Sequence, residues 1–181
     1  FESGYQYFDS LERAKHPVVS RYCRRELWVV KAQMLMALDR HAEAVDYLNR
    51  AMALKDENND PLSEIFCTAT AGITYMGVDT ISTRAESAFR RACRVAERSG
   101  LSNYWLYPQA IGRLADIYLQ QGKYEESISL CREAIRLCEK SGSYHGKLVV
   151  AEILTEAYRL LGLYDEAFRY CAVGTVSYTH L

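Results

Sequence analysis

Apolar and polar positions along this chain recur with a helical period rather than the twofold alternation of a strand. Between 111 and 135, one apolar stripe holds Ile111, Leu114, Ala115 and Tyr118, and a second holds Ile128, Cys131, Ala134 and Ile135. The polar break Gln121-Gly122-Lys123 divides them. The same stripe–break–stripe arrangement surrounds Asp39-Arg40-His41, Gly77-Val78-Asp79-Thr80 and Leu161-Gly162-Leu163, where glycine suits a left-handed helix C-cap. Outer loops of similar composition fall at Asn58-Asn59-Asp60-Pro61, Ser99-Gly100-Leu101-Ser102 and Ser141-Gly142-Ser143. This spacing predicts helices over 2–15, 18–38, 41–56, 61–76, 80–99, 103–121, 124–141, 145–161 and 164–173, and no strand.

The helices repeat in pairs. Tyr118, Gly122, Tyr124, Glu126 and Cys131 recur 40 residues later as Tyr158, Gly162, Tyr164, Glu166 and Cys171. Carried backwards, the frame sets Ala51, Ala92 and Ala134 in line, and it sets Gly72 with Ala115 and Tyr75 with Tyr118. Each unit is thus a helical hairpin. Small residues at Ala32, Gly72 and Ala115 on first helices would face Ala44, Ala85 and Ser127 on second helices, letting the backbones approach. The predicted division is 1–16 as the second helix of a truncated repeat, then repeats over 17–58, 59–101, 102–143 and an incomplete 144–174. The closing run Val176–Leu181 resembles a translated sequencing-adapter end, so 175–181 is read as non-native.

On these residues the pattern resembles the tetratricopeptide repeat family, whose first helix carries Trp, Leu-Gly and Tyr and whose second carries Ala, Phe and Ala. Trp28 matches the first of these places, Leu114-Ala115 and Ala71-Gly72 the Leu-Gly place, and Tyr75, Tyr118 and Tyr158 the Tyr place. Ala44, Ala85 and Ala167, then Phe89, then Ala51, Ala92 and Ala134 match the second helix. The unit length of 40 to 42 departs from the usual 34. Such long units are similar to those in bacterial regulatory proteins. The resemblance implies an all-α, right-handed α-solenoid of stacked antiparallel helix pairs.

Composition narrows the function. In 181 residues there are 22 basic and 23 acidic side chains, a formal charge of -1 that argues against nucleic acid or an anionic membrane as partner. No run nears the roughly 18 apolar residues of a membrane span. The six cysteines lie at 23, 67, 93, 131, 138 and 171 without a C-x-x-C pair, which reads as reduced thiols in a cytoplasmic setting. A sensor region outside the cytosol is the alternative if a signal precedes Phe1. Phosphate loop, nucleophile elbow and zincin motifs are all missing, and His16, His41, His145 and His180 are scattered, so no enzyme, metal or cofactor is expected. His41 and the cysteines read as packing residues. Arg90, Arg94 and Arg98 form a stripe interleaved with Glu86 and Glu97, which reads as a solvated outer face.

The resemblance further implies that first helices line a groove used for binding. Its positions are Glu26, Val29, Gln33 and Met36, then Phe66, Ala69, Ile73 and Met76, then Gln109, Gly112, Asp116 and Leu119, then Val149, Glu152, Glu156 and Arg159. Early positions are apolar, with methionines that adapt to varied shapes, and late ones acidic. A clamp of Lys and Asn for a terminal carboxylate is missing from them. The expected partner is therefore a protein or peptide, with apolar anchors carrying the affinity. The alternative is a sensory segment of a bacterial histidine kinase or transcription regulator, acting in signal transduction.

Overall fold

The computed structural model describes residues 1–14, 24–54, 60–78 and 83–176, without the side chains of 144, 145 and 172–176. Cys23, His16, His180, the expected starts at 18 and 80, and the run 177–181 lie outside the described residues. Among these residues the order is α1 (Glu2–Arg13), α2 (Arg24–Ala37), α3 (His41–Ala53), α4 (Pro61–Val78), α5 (Thr83–Arg98), α6 (Leu106–Gln120), α7 (Tyr124–Ser141), α8 (Tyr144–Leu160) and α9 (Tyr164–Val176), with no strand. Helices α2 and α3, α4 and α5, α6 and α7, and α8 and α9 pack as hairpins, and each hairpin packs on the next, giving an all-α helical repeat solenoid.

The turns inside the hairpins follow from the expected glycines. Gly122 and Gly162 take φ of 76° and 75°. The amide after each reaches back to the last full turn, Lys123 N–H to the Tyr118 carbonyl at 2.9 Å and Leu163 N–H to that of Tyr158 at 2.9 Å. This double cap satisfies carbonyls that a helix end leaves open. Asp39 makes the same turn at φ 61° without the freedom of glycine, and Arg40 N–H bonds the Leu35 carbonyl at 2.8 Å. Gly77, expected in the corresponding turn, instead belongs to α4, which continues through it to Val78. Helix α9 likewise runs past the expected end at 173 to Val176.

The core is built as the small residues required. Ala32, Ala44, Ala51, Ala71, Ala85, Ala115 and Ala134 are completely buried. A Cβ on Gly72 would stand 2.7 Å from the Phe89 ring, so glycine is what lets α4 and α5 close on each other. Ser127 is buried too, its hydroxyl donating to the Ala115 carbonyl at 2.7 Å. Between hairpins, the tyrosines of the first helices reach the preceding second helix. The Tyr75 hydroxyl donates to Asn49 Oδ1 at 2.9 Å, Tyr118 accepts from Arg90, and Tyr158 accepts from Arg132 at 2.6 Å.

Helix α1 is attached differently: none of its residues is fully buried. It is held through Lys31 of α2, whose fully buried ammonium meets Asp9 at 3.0 Å and Glu12 at 2.6 Å and lies 4.4 Å from the Tyr47 ring centre. Trp28 Nε1–H donates to Glu12 at 2.7 Å. Burial alone would lower the Lys31 pKa, but hydrogen bonds with Glu12, Tyr47 and Asp9 outweigh it and hold the ammonium charged. Nothing in the apolar pattern announces this network, because lysine normally marks the solvent side of a helix.

Candidate functional site

The first helices, α2, α4, α6 and α8, carry the face on which binding is expected. Consecutive first helices touch, α2 with α4, α4 with α6 and α6 with α8. That contact buries part of the expected groove. Val29 is fully buried, Ala69 is 2% exposed and Gly112 is buried, with a Cβ at Gly112 reaching 3.0 Å from Val150. These three positions form the seam between neighbouring helices and cannot touch a partner. Ile73 is 39% exposed, and Gln33, Glu152 and Arg159 are exposed. Met36, Phe66, Met76, Gln109, Asp116, Leu119, Val149 and Glu156 are half-buried.

The polar members of this face are mostly engaged nearby. Ser63 donates its hydroxyl to Glu26 across the first helices. Arg159 grips Glu156 with two hydrogen bonds of 2.7 and 2.5 Å, which hold the carboxyl below its usual range. Asp116 accepts from Gln120 at 3.1 Å. Asp116 and Glu156 thus pair within their own helices, and the apolar early half keeps Ile73 exposed beside the half-buried Phe66 and Met76.

Second helices behave in the opposite way: among the described residues no Cα pair from consecutive second helices comes within 8 Å. Between α5 and α7 this leaves an open cleft of about 630 Å³, floored by Tyr107, Ile111 and Leu114 of α6. Arg90 and Arg94 line it from α5, Leu130 and Glu133 from α7. Of the glutamates interleaved with the arginine stripe, Glu86 pairs with Arg90 at 2.7 Å, whereas Glu97 accepts from the Tyr107 hydroxyl at 3.1 Å. Burial pushes the Cys93 thiol up to about 12, and the charges of Glu97 and Glu133 add to that. The sequence reading placed no site here, because charged residues on a second helix look like solvated surface until the gap between helices is seen.

The remaining chemistry-bearing residues are quiet. Cys67, Cys93, Cys131 and Cys138 are buried and outside any disulfide, and burial pushes Cys131 up to about 12, far from a reactive thiolate. Cys171, expected to pack, is exposed because nothing in the described chain covers that side of α9. His41 is not a packing residue either; its Nε2 meets Asp39 at 2.8 Å at the surface. No group of three metal-ligating side chains occurs among the described residues. No helix there is long and apolar enough to cross a membrane.

Two family models, both described as tetratricopeptide repeat, match residues 26–58 and 107–170 and together span more than half of the chain. The chain belongs to the tetratricopeptide repeat family. No curated protein sequence matches it. Among solved structures, BtubC (BKLC) from P. vanneervenii aligns with a TM-score of 0.78 at 17% identity, covering 99% of this chain and 74% of that one. The nearly identical TPR-like repeats of a Podosopora anserina chain named after kinesin light chain align at 0.78 and 18%, covering 97% and 85%. A Signal Transduction ATPase with Numerous Domains protein with a tetratricopeptide repeat sensor, from Pyrococcus horikoshii, aligns at 0.74 and 20% over 92% of this chain. This chain spans only 25% of that protein's length. Such low identities speak for the fold alone. Tetratricopeptide repeats generally mediate protein–protein interaction, and the scaffold is generally non-catalytic.

Proposed function

We propose that this chain is a protein- or peptide-binding scaffold that performs no chemistry, and that the first-helix face carries the binding. The observation behind this reading is the apolar set on α4 in which Ile73 is exposed and Phe66 and Met76, packed in part against the core, are only half-covered. An amphipathic helix or apolar peptide fits such a strip, with methionine and phenylalanine as anchors. Met36 and Leu119, half-buried on α2 and α6, extend it to either side. Glu152, Glu156 and Arg159 form its polar end. Partner capture by the full chain, compared with Phe66→Ala and Met76→Ala forms of unchanged far-UV circular dichroism, tests the proposal. Each change is expected to weaken capture by about tenfold, as for a central apolar anchor. Equal capture by all three would move the site off this strip.

A second reading is favoured by the Pyrococcus horikoshii neighbour, whose repeats are described as a sensor. In it the array belongs to a signalling protein and passes a change of packing to another domain. The complete reading frame decides: a kinase core, ATPase core or DNA-binding domain beside the repeats supports it, and repeats alone count against it.

A further inference from the structure

The cleft between α5 and α7 has a counterpart one hairpin earlier, and there it is filled. Arg91 of α5 donates from Nε to Glu64 of α4 at 2.8 Å and from Nη1 to the Met52 carbonyl of α3 at 3.2 Å. One guanidinium thereby spans three helices at the junction of the first two hairpins. In the repeat frame Arg91 precedes Ala92 as Glu133 precedes Ala134. Glu64 lies eight residues before Gly72 as Tyr107 lies eight before Ala115, and Met52 follows Ala51 as Cys93 follows Ala92. Glu133, Tyr107 and Cys93 all line the cleft. A carboxylate therefore replaces the guanidinium where the second and third hairpins meet, and the bridge is lost.

Tyr107 stands in the place of the acceptor Glu64, and the carboxylates at this cleft are instead Glu86, Glu97 and Glu133. Helix α5 runs about one turn further than α3 in the repeat frame, and Glu97 of that extra turn lines the cleft. Glu133 makes no hydrogen bond or ion pair among the described residues. The charges of Glu97 and Glu133, after burial, both raise the Tyr107 phenol. Of the two arginines in the cleft, Arg90 is occupied by Glu86 and Tyr118, and Arg94 has no ion pair among the described residues. The apolar floor of Ile111, Leu114 and Leu130 accepts neighbouring aliphatic side chains. A volume of about 630 Å³ lies within the usual range for a ligand site of about 300–1,000 Å³.

We infer that this cleft receives an arginine side chain of a partner polypeptide, its guanidinium lying between Glu97 and Glu133 as that of Arg91 lies between Glu64 and Met52. The planar fork of arginine suits two acceptors on different helices better than a lysine ammonium does. Arg94 at the cleft favours partner segments in which the arginine stands among neutral or acidic residues rather than in a basic run. The site lies between the second helices α5 and α7 over a floor from α6, and shares no residue with the first-helix strip.

The test uses the full chain, isotope-labelled for amide NMR, and an acetylated, amidated heptapeptide with one central arginine between leucines. Shift changes are expected at Cys93, Glu97, Tyr107 and Glu133. The same peptide with citrulline, which keeps the shape and removes the charge, is expected to bind at least tenfold more weakly. Glu133→Arg should fill the cleft from within and abolish the shifts. Glu133→Gln, a smaller change for which folding is not in question, should weaken binding by about tenfold. Equal binding of the citrulline peptide, undiminished binding to Glu133→Gln, or shifts confined to the Glu152 and Glu156 side would overturn the inference.

Discussion

Gly72 shows how much one residue can decide. The ring of Phe89, fully buried, occupies the space where any Cβ at this position would be. Gly72→Ala is therefore expected to destabilise the chain by about 1–3 kcal/mol, the usual cost of overpacking, although alanine is the better helix former. Urea denaturation measures it, and adding Phe89→Leu should recover part of the loss; a neutral or stabilising Gly72→Ala would mean that α4 and α5 are not held this closely. The repeat marked Gly72 as a place of close backbone approach but set Ala85 opposite it; that the Phe89 ring fills the space was not legible. Nor was the burial of Lys31, since its two carboxylates come from a helix some 20 residues away in sequence and only the fold brings them together. Val29 and Ala69 teach the reverse. A groove position inferred by spacing became a helix seam because neighbouring first helices touch there.

The helices themselves were readable because each satisfies its needs locally. Stripe, break and cap lie within one hairpin, and the left-handed turns fall on Gly122 and Gly162 as the breaks required. Asp39 is the exception, holding φ 61° with a side chain. Asp39→Gly is expected to raise stability by about 0.5–1 kcal/mol, and Gly122→Ala to lower it by about 1 kcal/mol, in thermal melts. The same sign for both would show that the turns are not equivalent. Gly77 misled because α4 continues through it to Val78, and the cost of a single glycine at a helix end is too small to stop a helix.

For the whole molecule, the attachment of α1 gives a pH dependence. Hydrogen bonding to Lys31 holds Asp9 below its ordinary value, and for Glu12 the bonds from Lys31 and Trp28 outweigh the opposing effect of burial. Groups lowered on folding contribute stability above the ordinary carboxylate range and lose it as pH falls through the lowered values. Lys31 is raised, so its contribution is complete below the ordinary lysine range and is lost only as pH rises past the raised value. With Trp105→Phe leaving Trp28 as the sole tryptophan, its emission should stay constant around neutrality and shift on acidification before helicity falls; a shift that coincides with global unfolding would mean α1 is not separately held. The amino-acid sequence by itself determined the helices, their pairing and the small-against-large packing, because each arises from contacts within one hairpin or between adjacent ones and so repeats at a readable interval. Only the tertiary structure decided which surface is open. First helices close on one another while second helices stand apart, so the depth of a seam and the emptiness of a cleft depend on angles between hairpins that no local residue pattern encodes.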